Sequence, residues 1–166
     1  MDIGGSFGLR LQTEIVAQTA AIAARQTGIP IRLMWTREQA MRAAAARLIG
    51  EHDFTSFRAA ECQARSPVKV LRAIEIGFRG EPLCGYWRFD FDASAFLHHM
   101  VRNILGCLVA VGAGQHPPGW LAEVLAARRR EVAAPTFPAD GLYFLGPYYD
   151  GRHGIPATTA AHHWLP

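Results

Sequence analysis

Hydrophobic and polar positions along the chain switch between two periods, and the switches mark out the elements. A helical period runs from Leu11 to Gln26 and is closed by Gly28 and Pro30. "IRLMW" then reads as a short strand. Thr36 and Gln39 have the spacing of a capping box, which opens a helix through "EQAMRAAAARLI" that ends at Gly50. "GEHDFTSFRAAECQARSP" has neither period and reads as a loop stopped by Pro67. "VKVLRAIEIGF" and "LCGYWRFDF" alternate with period two around "RGEP", which predicts a hairpin. A long apolar helix follows in "FDASAFLHHMVRNILGCLVAVGAG", Phe91 to Gly114. "HPPGW" starts another through "LAEVLAARRR", with Pro118 suited to its first turn. "GLYFLGPYY" predicts a last strand, and the stretch after Tyr149 is aperiodic and reads as a loose tail. The order predicts an α+β fold, a mainly antiparallel sheet with helices packed on one face.

The Phe91–Gly114 helix carries polar groups that its apolar period does not explain. With about 100° per residue and His98 at the origin, Arg102 falls near 40°, His99 near 100° and Asn103 near 140°. These four share a sector whose other side chains are small, Ala95, Gly106 and Ala110. The opposite arc, with Phe96, Leu97, Met100, Val101, Ile104, Leu105, Cys107, Leu108 and Val111, is the core face. Three explanations stand at this point: a hydrogen-bonded structural network, a metal site, or one wall of a pocket for a charged group. The 100° between the two histidines disfavours a shared metal ion. Gly106, costly by about 1 kcal/mol inside a helix, signals the close approach of a backbone or a ligand. Arg102 cannot shed its proton, so it requires an anion, either a carboxylate or a phosphate.

Composition narrows the class without choosing the function. The chain has 166 residues, 50% of them hydrophobic, enough for one modest domain. Its three cysteines, Cys62, Cys84 and Cys107, include no CxxC pair, which argues against a disulfide framework or a closed zinc site and fits a reducing, cytoplasmic setting. No uninterrupted apolar run is long enough to span a membrane, and "MDIGGSFGLR" lacks the basic start and apolar run of a signal peptide. The net charge is +3, and of seventeen basic residues only Lys69 is a lysine. Arginine suits phosphate and stacked bases, but a chain-wide bias of this kind is also a mark of base composition, so placement decides.

Three stretches, "GEHDFTSFRAAECQARSPVKVL", "FLHHMVRNILG" and "APTFPADGLYFLG", resemble in order and spacing the C-terminal half of the tRNA pseudouridine synthase A family. The resemblance covers about residues 41–149. It implies a cofactor-free isomerase that acts on uridines of the tRNA anticodon stem-loop, in a cleft between two similar halves. It assigns Arg102 a catalytic place, as partner of a nucleophilic aspartate in an Arg-Thr-Asp-x-Gly-Val-His motif. It also places Phe54, Phe57 and Arg58 near the cleft, Gln63 and Arg65 on the approach to a strand, and Gly141 and Leu142 at the pocket floor. For the two phenylalanines core packing is the competing reading. Arg58, Arg65, His98, His99, Asn103, Gly141 and Leu142 are thus the expected RNA-binding set, with no metal and no cofactor.

The nucleophile's motif is missing from this sequence: none of the six aspartates, Asp2, Asp53, Asp90, Asp92, Asp140 and Asp150, stands in it. Residues 1–40 resemble something else. "DIGGSFGLRLQTEIVAQTAAIAARQTGIPIRLMWTRE" is similar to part of the large subunit of molybdenum hydroxylases, where a Gly-Gly-x-Phe-Gly loop, here Gly4 to Gly8, lies against the molybdenum cofactor. The leader lacks the walls that a large cofactor requires. A join of two unrelated coding pieces near Thr36 to Met41 accounts for both resemblances, leaving a leader (1–40), a synthase-like domain (41–149) and a tail (150–166). The expected function is a tRNA pseudouridine synthase portion, inactive alone, with tRNA as partner and with self-association, as a homodimer, through an exposed sheet edge. A non-catalytic RNA-binding or dimerisation module and a molybdenum hydroxylase fragment are the alternatives.

Overall fold

The computed structural model describes residues 36–80, 85–147 and 151–154. The leader helix and strand expected before Thr36, the hairpin tip at 81–84 and most of the tail lie outside these residues. Helix α1 (Arg37–Ala45) begins with the expected capping box. The Thr36 hydroxyl accepts the Gln39 N–H at 3.2 Å, and the Gln39 side chain accepts the Thr36 N–H at 3.1 Å. A 3-10 turn (Ala46–Leu48) extends it, and the chain then reverses at Gly50, whose φ of 115° suits glycine.

The sheet is three-stranded and antiparallel in the order β1-β2-β3, with β1 at Gly50–Asp53, β2 at Val68–Arg79 and β3 at Tyr86–Ala93. Strand β1 falls inside the stretch that the sequence read as loop. Its four residues have no apolar alternation, and pairing with the start of β2, Gly50 with Leu71 through Asp53 with Val68, makes them a strand. The hairpin is as expected, with β3 described from Tyr86; the expected start at Leu83 lies outside the described residues.

A bulge between Leu71 and Ala73 changes which face β2 presents. Before the bulge Leu71 points inward; after it the inward residues are Ile74 and Ile76, opposite Phe91 and Phe89 of β3. The other face carries Arg72 with Asp92 at 2.7 Å and Arg88 with Asp90 at 2.9 Å. Because β1 pairs no further than Leu71, the rest of β2 has an open edge on that side among the described residues. Helix α1 lies beside this edge, and its Arg42 guanidinium donates to the Ile76 carbonyl while pairing with Glu38.

Helix α2 (Met100–Gly112) and helix α3 (Trp120–Ala127) complete the core. Ala40, Met41, Ala44 and Ala45 of α1, Leu71 and Ile76 of β2, Ile104, Leu108 and Val111 of α2, and Leu121 and Val124 of α3 form one apolar cluster. Phe54 and Phe57 are fully buried in it, so packing is what they do here. Ser56 between them is fully buried too; its hydroxyl donates to the Val124 carbonyl at 2.6 Å and accepts the Arg129 N–H at 2.9 Å, tying the turn to the end of α3.

Five expectations need correction. Helix α2 starts at Met100, so His98 and His99 precede it and Phe96 is exposed instead of lying in the core arc. Helix α3 stops at Ala127, because Arg128 takes a left-handed conformation (φ 50°), and Pro118 sits just ahead of the helix. Residues 142–147 form no strand, for an alternating apolar segment needs an edge to pair with, and it meets none among the described residues. Leu142, Tyr143, Phe144 and Leu145 are exposed there.

Beyond α3 the chain returns across α2 as a strap, residues 133–137, and Gly106 is where the two backbones meet. A Cβ at Gly106 would lie 2.3 Å from the Pro135 carbonyl oxygen. The approach that this glycine signalled is therefore that of a backbone. Gly106→Ala should lower stability by about 1–3 kcal/mol through overpacking, despite a gain of up to about 1 kcal/mol in helix propensity. Urea denaturation checks this, and an unchanged midpoint would mean that the strap can lift away at no cost.

Candidate nucleic-acid interface

The site is built on the first two turns of α2. Residues four apart share a helix face, so Arg102 stacks above Gly106 and Asn103 above Cys107. The strap runs along these two rows. The Ala134 N–H donates to the Cys107 thiol sulfur at 3.3 Å, Pro135 crosses at Gly106, and the Phe137 N–H donates to the Arg102 carbonyl at 3.2 Å. In return the Arg102 Nε donates to the Phe137 carbonyl at 2.7 Å, which fixes the guanidinium at its inner nitrogen. Arg102 is half-buried, and no carboxylate among the described residues is within ion-pairing reach of it.

Asn103 holds the strap from inside. It is fully buried, and its Nδ2 donates to the Phe57 carbonyl at 2.8 Å. Its Oδ1 accepts the Thr136 hydroxyl at 2.7 Å and the Arg130 Nη2 at 3.2 Å. Arg130 also donates to the Thr136 hydroxyl at 3.0 Å and to the Ala133 carbonyl at 3.3 Å. The Cys107 thiol beneath is pushed up by burial, against the smaller opposing effects of the Ala134 N–H and Arg130.

His98 and His99 sit at the mouth of α2 with their rings 4.0 Å apart and tilted by 33°. The angular separation assigned to them as helical residues does not apply. His99 is left-handed (φ 61°), an uncommon state for a residue with a Cβ that surrounding contacts must maintain. Those contacts come from the loop after β1: the Ala59 N–H donates to the His98 carbonyl at 3.1 Å, and the His98 N–H to the Cys62 sulfur at 3.4 Å. The N–H groups of Ala64 and His98, helped by Arg58, hold the Cys62 thiol below its usual range. Partial burial, then the adjacent His98 and Arg102, lower the His99 imidazole, with Glu61 pulling the other way.

The remaining expected residues are placed as follows. Arg58 is half-buried and donates to the carbonyls of Cys62 and, at 3.1 Å, Ala64, so it braces the same loop. Arg65 and Gln63 are exposed. Gly141 (φ 79°) and Leu142 are exposed after the strap. His98, His99 and Arg102 are thus brought together at one end of α2, while Asn103 lies beneath them in the interior. Arg130 and Thr136 went unremarked in the sequence; the first was hidden in an over-long α3, and the second stands in a quoted motif, where a lone threonine carries little signal.

Comparisons with known proteins match these elements. A family model described as tRNA pseudouridine synthase matches residues 44–150. A protein of Polaromonas naphthalenivorans named tRNA pseudouridine synthase A is 68% identical over 127 residues, covering 76% of this chain and 48% of the relative. Proteins of the same name from a further Polaromonas strain and from Paracidovorax citrulli are 61% and 63% identical, with 48% and 51% of each relative covered. The chain spans about half the length of the curated relatives it matches. A second model, described as a molybdopterin cofactor-binding domain, matches residues 1–55. The buried side chains that the described part of that range contributes, Ala40, Met41, Ala43, Ala44, Ala45, Leu48 and Phe54, are apolar, all but Ala43 belong to the common core, and they do not suit a polar pterin. With nearly two thirds of its length matched by one family model, and with the motifs of that match forming α2, its strap and the loop that clasps it, the chain belongs to the tRNA pseudouridine synthase family.

Proposed function

We propose that this chain supplies the arginine-bearing half of a tRNA pseudouridine synthase, a surface that holds tRNA beside a nucleophilic aspartate contributed from outside the sequence. The observation that carries the reading is Arg102, fixed through Nε by a carbonyl and paired with no carboxylate among the described residues. An aspartate brought beside that guanidinium would stay ionised at neutral pH, because an opposite charge within about 4–6 Å lowers a carboxyl pKa. The isomerisation breaks the bond between ribose and a uracil nitrogen and joins the same ribose carbon to a uracil carbon. It needs no net oxidant, and the target base must leave its stack to be processed. His98, His99 and Arg65 extend the cationic and stacking surface on the RNA side, Arg58 and Asn103 brace it, and Gly141 and Leu142 border it. The working domain is residues 41–149, in a cytoplasmic setting, with no cofactor required.

The tests follow from the phosphate chemistry. Affinity of the chain for tRNA should fall steeply as salt rises, and Arg102→Ala should weaken it about 10-fold or more and flatten the log–log salt slope by about one unit if a phosphate contact is lost. Absent or salt-independent binding would remove the RNA reading. The purified chain should form no pseudouridine in a bare tRNA transcript above the Arg102→Ala control, because the nucleophile's motif is missing; product above that control would overturn this point.

A second reading, self-association as a homodimer, is favoured by the exposed apolar side chains of Leu142, Phe144 and Leu145. Light scattering should then give a mass above the monomer's that falls in Phe144→Asp. A monomer at all concentrations would sink this reading.

A further inference from the structure

We infer that Thr136 and Arg130 are positioning residues for Arg102, setting the aim of its guanidinium through the strap. The inference rests on the proposed RNA role of Arg102 and adds what controls it. Among the described residues the Arg102 side chain donates one hydrogen bond, to the Phe137 carbonyl at 2.7 Å. That carbonyl belongs to an irregular segment outside sheet and helix, tied to α2 at Phe137 by its N–H on the Arg102 carbonyl at 3.2 Å, so its position depends on this bond and on the strap's side-chain anchors. The anchor adjacent in sequence is Thr136, whose hydroxyl donates to Asn103 Oδ1 at 2.7 Å and accepts from Arg130 at 3.0 Å. Asn103 is in turn fully buried and joined to the Phe57 carbonyl at 2.8 Å. The sequence of contacts runs from the core through Asn103, Thr136 and the Phe137 carbonyl to Arg102.

The geometry explains why the support takes this form. Arg102 and Asn103 are consecutive on α2, and their side chains leave the helix about 100° apart, one toward the rim and one toward the interior. Thr136 and Phe137 are consecutive on the strap, so a single peptide spans the two side chains. A shift of the strap along α2 would break both contacts together, and Arg130, donating to Asn103, Thr136 and Ala133, resists that shift. Precision of this kind matters for a bidentate or in-line contact, which tolerates about 0.5 Å of misplacement.

A double-mutant cycle on tRNA affinity of the full chain tests the inference. Thr136→Val, which keeps the side-chain shape and removes the hydroxyl, should weaken binding about 5-fold, the scale of one hydrogen bond. In an Arg102→Ala background the same change should have no further effect, and Thr136→Ser should restore the affinity. Equal losses in the two backgrounds, or no loss at all, would overturn the positioning role. If Arg102→Ala itself leaves affinity unchanged, the RNA reading fails first and the cycle has nothing to report on. A spectroscopic arm is independent of RNA and of that failure: the Arg102 Nε–H resonance should be shifted and slow to exchange in the unaltered chain, and should move toward free-arginine values in Arg130→Gln as well as in Thr136→Val, at a temperature where melting curves show each variant folded. A resonance that stays put in both folded variants would likewise overturn the inference.

Discussion

One buried amide organises this domain. Asn103 has no solvent to fall back on, and a buried polar group left unpaired costs about 1–3 kcal/mol. Its partners therefore have to arrive from three separate parts of the chain: the turn after β1 through Phe57, the segment after α3 through Arg130, and the strap through Thr136. The first two are single 3-10 turns and the strap is irregular, so no sheet ladder or long helix holds any of them. The amide converts three loops into one supported surface around α2, and Arg102 takes its place on that surface from the next position in sequence.

The same device recurs on a smaller scale. Ser56 ties the turn to the last residues of α3, and the Cys62 sulfur with the Ala59 N–H clasps the backbone of His98. Each node joins irregular backbone to an element whose apolar side belongs to the common core. The core supplies most of the stabilisation, since apolar burial is non-directional and additive over area. The polar nodes supply direction. That division of labour lets the left-handed His99 and the closely approaching Pro135 coexist with a well-packed interior.

How much of this could be read beforehand depended on whether the cause was local. The capping box at Thr36 and the alternation of the hairpin are signals within a few residues, and both elements formed where the signals stood. Gly106 was legible as a close approach, though not what would approach. Strand β1 was invisible, because "GEHD" becomes a strand through its partner alone. The start of α2 was misplaced because "ASAFLHH" keeps an apolar rhythm that says nothing of the positive φ at His99. The network around Asn103 joins residues 57, 103, 130 and 136, and no pattern along one dimension encodes a contact of that span. The angular reading did place Arg102 and Asn103 on adjoining rows; the direction each faces, rim or interior, was decided by the strap.

The choice of acceptor at Arg102 also bears on its chemistry. A carboxylate in the position of the Phe137 oxygen would hold the guanidinium equally well, but it would cancel the charge and fill the place of any incoming anion. A carbonyl accepts from Nε, restricts the side chain, and leaves the formal charge whole. Holding an arginine by a neutral dipole lowers the entropy lost when an anion binds without lowering the electrostatic gain. A half-buried guanidinium is also less screened than one in open water, so that gain is larger. For a side chain with only salt-bridge partners the two requirements, fixed aim and free charge, would be in conflict. Here they are separated, with aim set by the strap and charge kept for whatever meets Arg102.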